Sequence, residues 1–348
     1  MHSTPDHIEQ FNSKTHKTQQ LNQPTTEMKY VVKCWASRLF APCFALALLI
    51  KVVSGLAALQ VHVVDRSTTT RTIKHDDFLK LVSASVRSKR PLLLRGRSVD
   101  LGSNELKLSE AVEIMGPGYI RGSGHTLFTT GGNRRVLTLG NNIRLEHFAS
   151  ADRGDEKRRQ GAAIWARGKS SIQLNNCTVT SETGFAIWMI QRASAHLGNC
   201  TLGPCGRRSA IVMFNDARLD FRNGVIKDAA VHGICVRGDT VMTVRDSVVS
   251  GCGARGCYAY HNATLDLTNT TVSGTLQLDA SAVQVEALRP SDLAKLRIRM
   301  CKLQETGNRG FGLSVAGNVD CDIDDSVQVD CSLSAAQQLL EPQPQLQY

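Results

Sequence analysis

Between Gly161 and Ser273 one pattern is written five times, at intervals of 23 to 25 residues. Each copy opens on a small residue and a short apolar run (Gly161, Gly184, Ser209, Gly233, Gly256). A polar turn residue follows 13 to 15 positions later (Asn176, Asn199, Asn223, Asp246, Asn269). Two positions before the turn stand Leu174, Leu197, Phe221, Val244 and Leu267; four before stand Ile172, Ala195, Leu219, Met242 and Leu265. Both rows are apolar in every copy, as the inward face of a strand of period two requires. A coil of this length cannot bury its own apolar face, so the copies must stack into a solenoid. Gly310 to Val327 continues the scheme with Cys321 and Ile323 in the rows and Asp325 at the turn. Val283 to Leu303 is a copy opened by an insertion at Arg289-Pro290, and His147, preceded by Leu145 and Ile143, marks an earlier one.

Around this array the character of the chain changes. Residues 1–27 are polar, without apolar periodicity, and are expected to be disordered. Residues 28–57 have the layout of a signal peptide or signal anchor: Lys29, Lys33 and Arg38 lead, Leu39 to Ile50 are apolar, and Gly55-Leu56-Ala57 supplies small residues for a peptidase. Lys51 interrupts the apolar stretch and weakens its reading as a membrane span. After a linker at 58–74, Asp76 or Asp77 is placed to cap a short helix with Phe78, Leu79, Val82 and Val86 on one face. Short β runs follow at Leu92 to Leu94, Val112 to Met115, Tyr119-Ile120 and Val136 to Leu139, separated by turn formers. The expected solenoid domain is 75–332, with a C-terminal cap or tail at 333–348.

A coil of three short strands and three turns resembles the right-handed parallel β-helix of the pectate-lyase-like superfamily. The resemblance implies an all-β, single-domain solenoid of about eight or nine coils of 23–25 residues, plugged at its N-terminal end by the helix. A leucine-rich repeat is excluded by the missing Leu-x-x-Leu-x-Leu ladder. Val231-His232-Gly233-Ile234 is similar to the Gly-His-Gly segment of polygalacturonases in this superfold, and Arg297-Ile298-Arg299 to their Arg-Ile-Lys. Glycoside hydrolysis needs two carboxyl groups. Where those enzymes keep paired aspartates, this chain has Arg207-Arg208; the coil before has Thr183-Gly184, and Arg297 falls about two coils too far on. The acids are missing, so hydrolysis is disfavoured.

What the repeat carries instead is basic and aromatic. Before the first strands stand Thr183, Arg208, His232, Arg255 and Arg309; four positions after each small residue come Trp165, Trp188, Met213, Arg237 and Tyr260, with Tyr258 two earlier. This second row is expected to point outward, where contiguous apolar surface marks a ligand or partner. A net charge of +10 agrees with a polyanionic partner, and acidic glycan is preferred here over nucleic acid. Aromatic faces stack on sugars and arginines bind carboxylates or sulfates. Packing under a loop, or a homo-oligomer interface such as that of a trimeric capsid or spike, fits the row equally. A lyase or epimerase acting on an acidic polysaccharide is a further alternative, with His232, Arg237 or Arg255 as the catalytic group and Ca²⁺ as the cofactor of such an enzyme. For that ion the candidates are Asp216 and Asp239, at the ends of adjacent first strands, although both also suit turns. No other cofactor is implied, and membrane contact is confined to the N-terminal apolar segment.

Four Asn-x-Thr sequons occur, at Asn176, Asn199, Asn262 and Asn269. Three are the repeating turn residue, so Asn262 is the glycosylation candidate of a secreted or membrane-anchored extracellular protein. Eleven cysteines in 348 residues do not make a small disulfide scaffold. Cys177 and Cys200 stack in adjacent coils and read as buried thiols, whereas Cys252 and Cys257 are close enough in sequence to close a loop. Asp152 to Arg159 is a charged insertion containing Arg153-Gly154-Asp155, read as a solvated loop.

Overall fold

The computed structural model describes residues 72–148, 161–276, 280–304 and 312–330. The N-terminal extension and signal segment, the Asp152 insertion, Arg309 and the C-terminal tail lie outside the described residues. Within them are one helix, α1, and 28 strands, β1 to β28 in chain order. They build a right-handed parallel β-solenoid of about ten turns. Among the described residues no helix is long and apolar enough to cross a membrane.

A typical coil has three strands, as in β14 (Ile211–Phe214), β15 (Arg218–Arg222) and β16 (Val225–Lys227). First strands of successive coils pair in a nine-stranded sheet, while second and third strands run through a 19-stranded one. The apolar rows read from the repeat are the core. Ile172, Ala195, Leu219, Met242, Leu265 and Leu296 face one another in consecutive pairings, and none is more than 3% exposed. Leu174, Leu197, Phe221, Val244, Leu267 and Ile298 form the parallel row beside them. In the last described coil Cys321 and Ile323 hold the same pairings, yet both are exposed.

The turn residues have the backbone that the repeat implied. Asn176, Asn199, Asn223, Asp246 and Asn269 all lie at φ between 45° and 55°, the left-handed region that Asn and Asp tolerate best among side-chain-bearing residues. Side chains link the turns: Asn269 Nδ2 donates to Asp246 Oδ1 at 2.7 Å, and Asn199 Nδ2 to Asn175 Oδ1 at 3.2 Å.

Three readings are corrected. The copy ending at His147 is displaced by one strand: β10 (Lys169–Ser181) pairs Ile172 with Leu137 and Leu174 with Leu139. Ile143 and Leu145 belong to the next face, because the corner is turned at Asn141 and Asn142, both at positive φ. Helix α1 (His75–Ser88) starts two or three residues earlier than an Asp cap would place it. Lys74 is its N-cap and makes no side-chain cap bond, while Asp76 and Asp77 sit in the first turn, where they suit the helix dipole. The helix buries Phe78 and Val82 against the first coils. The Cys252–Cys257 loop is not closed, since the eight described cysteines are free and all but Cys321 are buried.

Truncating one rung of the inner row tests this packing. Leu265 is fully buried between Met242 and Leu296, so Leu265→Ala should lower stability in urea denaturation by about 2–5 kcal/mol. A loss below about 1 kcal/mol would show that the coils do not stack through this row.

Candidate functional site

The outer face of the nine-stranded sheet is built by pairing β9 (Ala162–Ala166), β11 (Phe185–Met189), β14, β17 (Ile234–Arg237), β20 (Cys257–Tyr260) and β23 (Val283–Glu286). The five residues expected on one outward row divide between rows. Ser209 follows Gly184 by 25 residues, but Trp188 pairs with Val212, an offset of 24. That slip of one turns Met213 inward, where it is fully buried. The outward row is therefore Trp165, Trp188, Val212, Cys235, Tyr258 and Gln284, while Phe214, Arg237, Tyr260 and Glu286 form a second row beside it.

Two aromatic groups result. Trp165 and Trp188 stack with centroids 5.2 Å apart and planes 17° from parallel, with Phe185 against Trp188 and the Arg167 guanidinium 5.4 Å from the Trp165 ring. Both indole N–H groups are covered and have no hydrogen-bond partner among the described residues. What these half-buried rings offer outward is carbon surface, which suits stacking rather than hydrogen bonding. Three coils further on, Tyr258 and Tyr260 stack at 4.9 Å, with Arg255 4.6 Å from the first ring and Arg237 5.6 Å from the second.

The second group brings together His232, Arg237, Arg255, Tyr258 and Tyr260. Ser209, His232 and Arg255 occupy one position in successive coils: the His232 N–H donates to Ser209 Oγ at 3.2 Å, and the Arg255 N–H donates to His232 Nδ1 at 3.2 Å. Burial, reinforced by the Arg255 charge, pulls His232 down to about 4, so its imidazole is neutral at pH 7. The Tyr258 hydroxyl donates to Glu286 Oε2 at 2.7 Å; burial, then the Glu286 contact, pushes it above the usual phenol range. Burial also raises Tyr260, and it raises the Cys235 thiol to about 12 although Arg255 and Arg237 oppose this. Gln284 accepts from Arg255 Nε and donates to Glu286. Gln284 and Glu286 escaped the sequence reading because the copy they belong to is opened by an insertion. Counting two and four from the buried residue at 282 would have placed both on the outer face.

Other candidates fall elsewhere. Arg208 stands one residue ahead of the Ser209, His232 and Arg255 position, not within it. Arg297 is on β24 (Ala294–Arg299) of the other sheet, paired with Asp266, so it does not join His232. Asp216 borders a hollow with Lys169 and Arg192, and Asp239 Oδ1 accepts from Asn262 Nδ2 at 3.0 Å. Calcium takes six to eight oxygens; two aspartates with lysine, arginine and an amide NH₂ around them do not fit it. Among the described residues no three His, Cys, Asp or Glu side chains are grouped to hold a metal. Asn262 is exposed at its turn, and its Oδ1 accepts from the Leu293 N–H at 2.9 Å.

Residues 133–275 and 186–338 match the model of the family described as the right handed beta helix region. The chain belongs to this β-helix family. No curated protein matches it. Among solved structures, an alginate lyase from Paenibacillus sp. str. FPU-7 is similar at 14% identity and a TM-score of 0.36, covering 72% of this chain and 98% of that one. The A-module of a mannuronan C-5 epimerase from Azotobacter vinelandii is similar at 10% identity and a TM-score of 0.23, covering 74% and 93%. At these identities the likeness concerns the fold alone.

The His232 environment of this β-helix protein has a consequence for acid stability. Its folded-state value lies below the ordinary 6.5, so below that pH the unfolded chain binds a proton that the folded one refuses. Stability is full above about pH 6.5 and falls as the pH drops toward about 4. His232→Gln should flatten this decline when chemical denaturation is compared at neutral and mildly acidic pH. An unchanged slope would show that His232 titrates as in a free chain.

Proposed function

We propose that this β-helix protein, secreted or anchored outside the cell, binds an acidic carbohydrate along the outer face of its nine-stranded sheet without hydrolysing it. The observation that carries the reading is the pair of guanidinium groups, Arg255 and Arg237, seated on the stacked Tyr258 and Tyr260 rings. An arginine held over an aromatic ring stays charged and oriented, and it can still turn N–H groups toward a carboxylate or sulfate. Trp165 lies four strands from Tyr258, about 19 Å at ~4.8 Å per strand. The two aromatic groups thus stand as contact points spaced by several sugar rings, with Val212 and Cys235 buried between them. Among the described strands of this sheet Glu286 is the one acid, and it is engaged by Tyr258 and Gln284. A pair of carboxyl groups for hydrolysis is not assembled there.

A second reading, β-elimination or epimerisation on a uronate chain, is favoured by one feature. His232 is a neutral imidazole beside the Arg255 cation and the Tyr258 ring. In that reading Arg255 binds the uronate carboxylate and so acidifies the neighbouring carbon-bound proton, while His232, whose Nδ1 accepts from the Arg255 N–H, presents its Nε2–H to the sugar as a hydrogen-bond donor, with no step routed through a metal.

A glycan array with the full chain and its Trp188→Ala variant separates these from an oligomer interface. The expected result is binding to polyuronates or sulfated glycans, weakened about tenfold by the variant, as for the loss of one stacking contact. Equal binding by both proteins, or none, together with a stable trimer in light scattering, would assign the face to self-association. Ultraviolet-absorbing unsaturated ends released from a polyuronate would establish the lyase, and their loss in His232→Gln would place His232 in the reaction.

A further inference from the structure

The 19-stranded sheet carries a different hollow on its own outer face, of about 620 Å³. Two neighbouring rows line it. One runs Thr138, Gln173, His196, Asp220 through successive coils; the other runs Gly140, Asn175, Gly198, Arg222. In the second row Gly198 leaves open space between Asn175 and Arg222, while the space beside Gly140 is filled by the Met115 side chain. The fold does not demand glycine at 198. A Cβ built there would meet only Asn175 Oδ1, at 3.5 Å, and the residue is not at positive φ. At Gly140 the nearest atoms are the flexible end of Met115, at 3.0 and 3.1 Å.

The polar groups around the hollow are mixed in kind and balanced in charge. Arg222 grips Asp220 with both ends, Nε to Oδ1 at 2.9 Å and a terminal nitrogen to Oδ2 at 2.6 Å. His196 Nδ1 stands 3.8 Å from the same carboxylate. Asn175 Oδ1 accepts from Asn199, and Gln173 Oε1 from Thr138, which leaves both amide NH₂ groups as donors. An anion would compete with Asp220 for Arg222, and a cation would compete with Arg222 for Asp220. A hydroxyl does neither, since it donates to a carboxylate already held and accepts from an amide. The volume lies within the range of about 300–1,000 Å³ typical of small-molecule sites.

We infer that this hollow is a binding subsite for a neutral saccharide of one or two pyranose rings, separate from the basic and aromatic track on the other sheet. The ring lies over Gly198, and its hydroxyls meet Asp220, Asn175 and Gln173. The inference does not rest on the proposed acidic-glycan reading, because no residue is shared between the two faces.

The test uses the full chain with cellobiose, maltose and lactose, followed by saturation-transfer NMR and calorimetry. At least one disaccharide should bind. Gly198→Leu, which fills the hollow from a half-buried strand end, should abolish the signal; Asp220→Asn should weaken it about tenfold, the loss of one charge-assisted hydrogen bond. Trp188→Ala, on the other sheet, should leave it unchanged. Circular dichroism checks that the variants keep the fold. Absence of binding by all three sugars, binding indifferent to both hollow variants, preferential binding of glucuronate at this site, or self-association abolished by Gly198→Leu would each overturn the assignment.

Discussion

Each coil of this protein completes its backbone hydrogen bonds, and buries its apolar side chains, only on the coil before and the coil after. A three-strand coil has no second layer of its own to pack against. Everything else follows from this dependence on neighbours. The turn between second and third strands recurs with the same left-handed backbone, supplied by Asn or Asp in five consecutive coils and by Met300 in the next. The interior rows must keep their pairing from Leu137 to Ile298 so that Leu, Ile, Val, Met and Phe interdigitate along one axis.

The same constraint frees the outside. A strand that commits alternate residues to the interior leaves the intervening ones available, and parallel pairing lines them up coil after coil. Functional groups are therefore assembled from residues about 23 apart in sequence. His232, Arg255 and Tyr258 come from neighbouring coils, and Glu286 reaches Tyr258 from the next one. The two outer faces have distinct chemistry. One is aromatic with arginines seated on the rings, and the other is a charge-balanced hollow beside Gly198.

Much of the architecture was legible because the interior signal is redundant. Five copies of two apolar rows and a turn residue define the period, and each copy checks the others. The outer rows carry no such redundancy, since no packing rule repeats there. Met213 was placed outward and proved buried because the small residue used as origin, Ser209, is one position out of step with Gly184. Strand pairing, rather than the small residue, sets the offset. A single-residue slip exchanges the two faces of a strand. The copy at His147 failed similarly, since two Leu-containing strands with similar spacing lie on either side of the Asn141 corner.

The sequence by itself determined the solenoid, its period, its inner rows and its turns, because local periodicity and left-handed turn chemistry act within a single coil. It also placed arginines and aromatic residues among the outward candidates of the first strands. Only the tertiary structure decided which outward residues meet. Contacts such as Arg255 on Tyr258, Trp165 on Trp188, or Arg222 around Asp220 beside Gly198 depend on the pairing offset between strands and on rotamers set by neighbours. Those quantities arise from stacking one coil on the next.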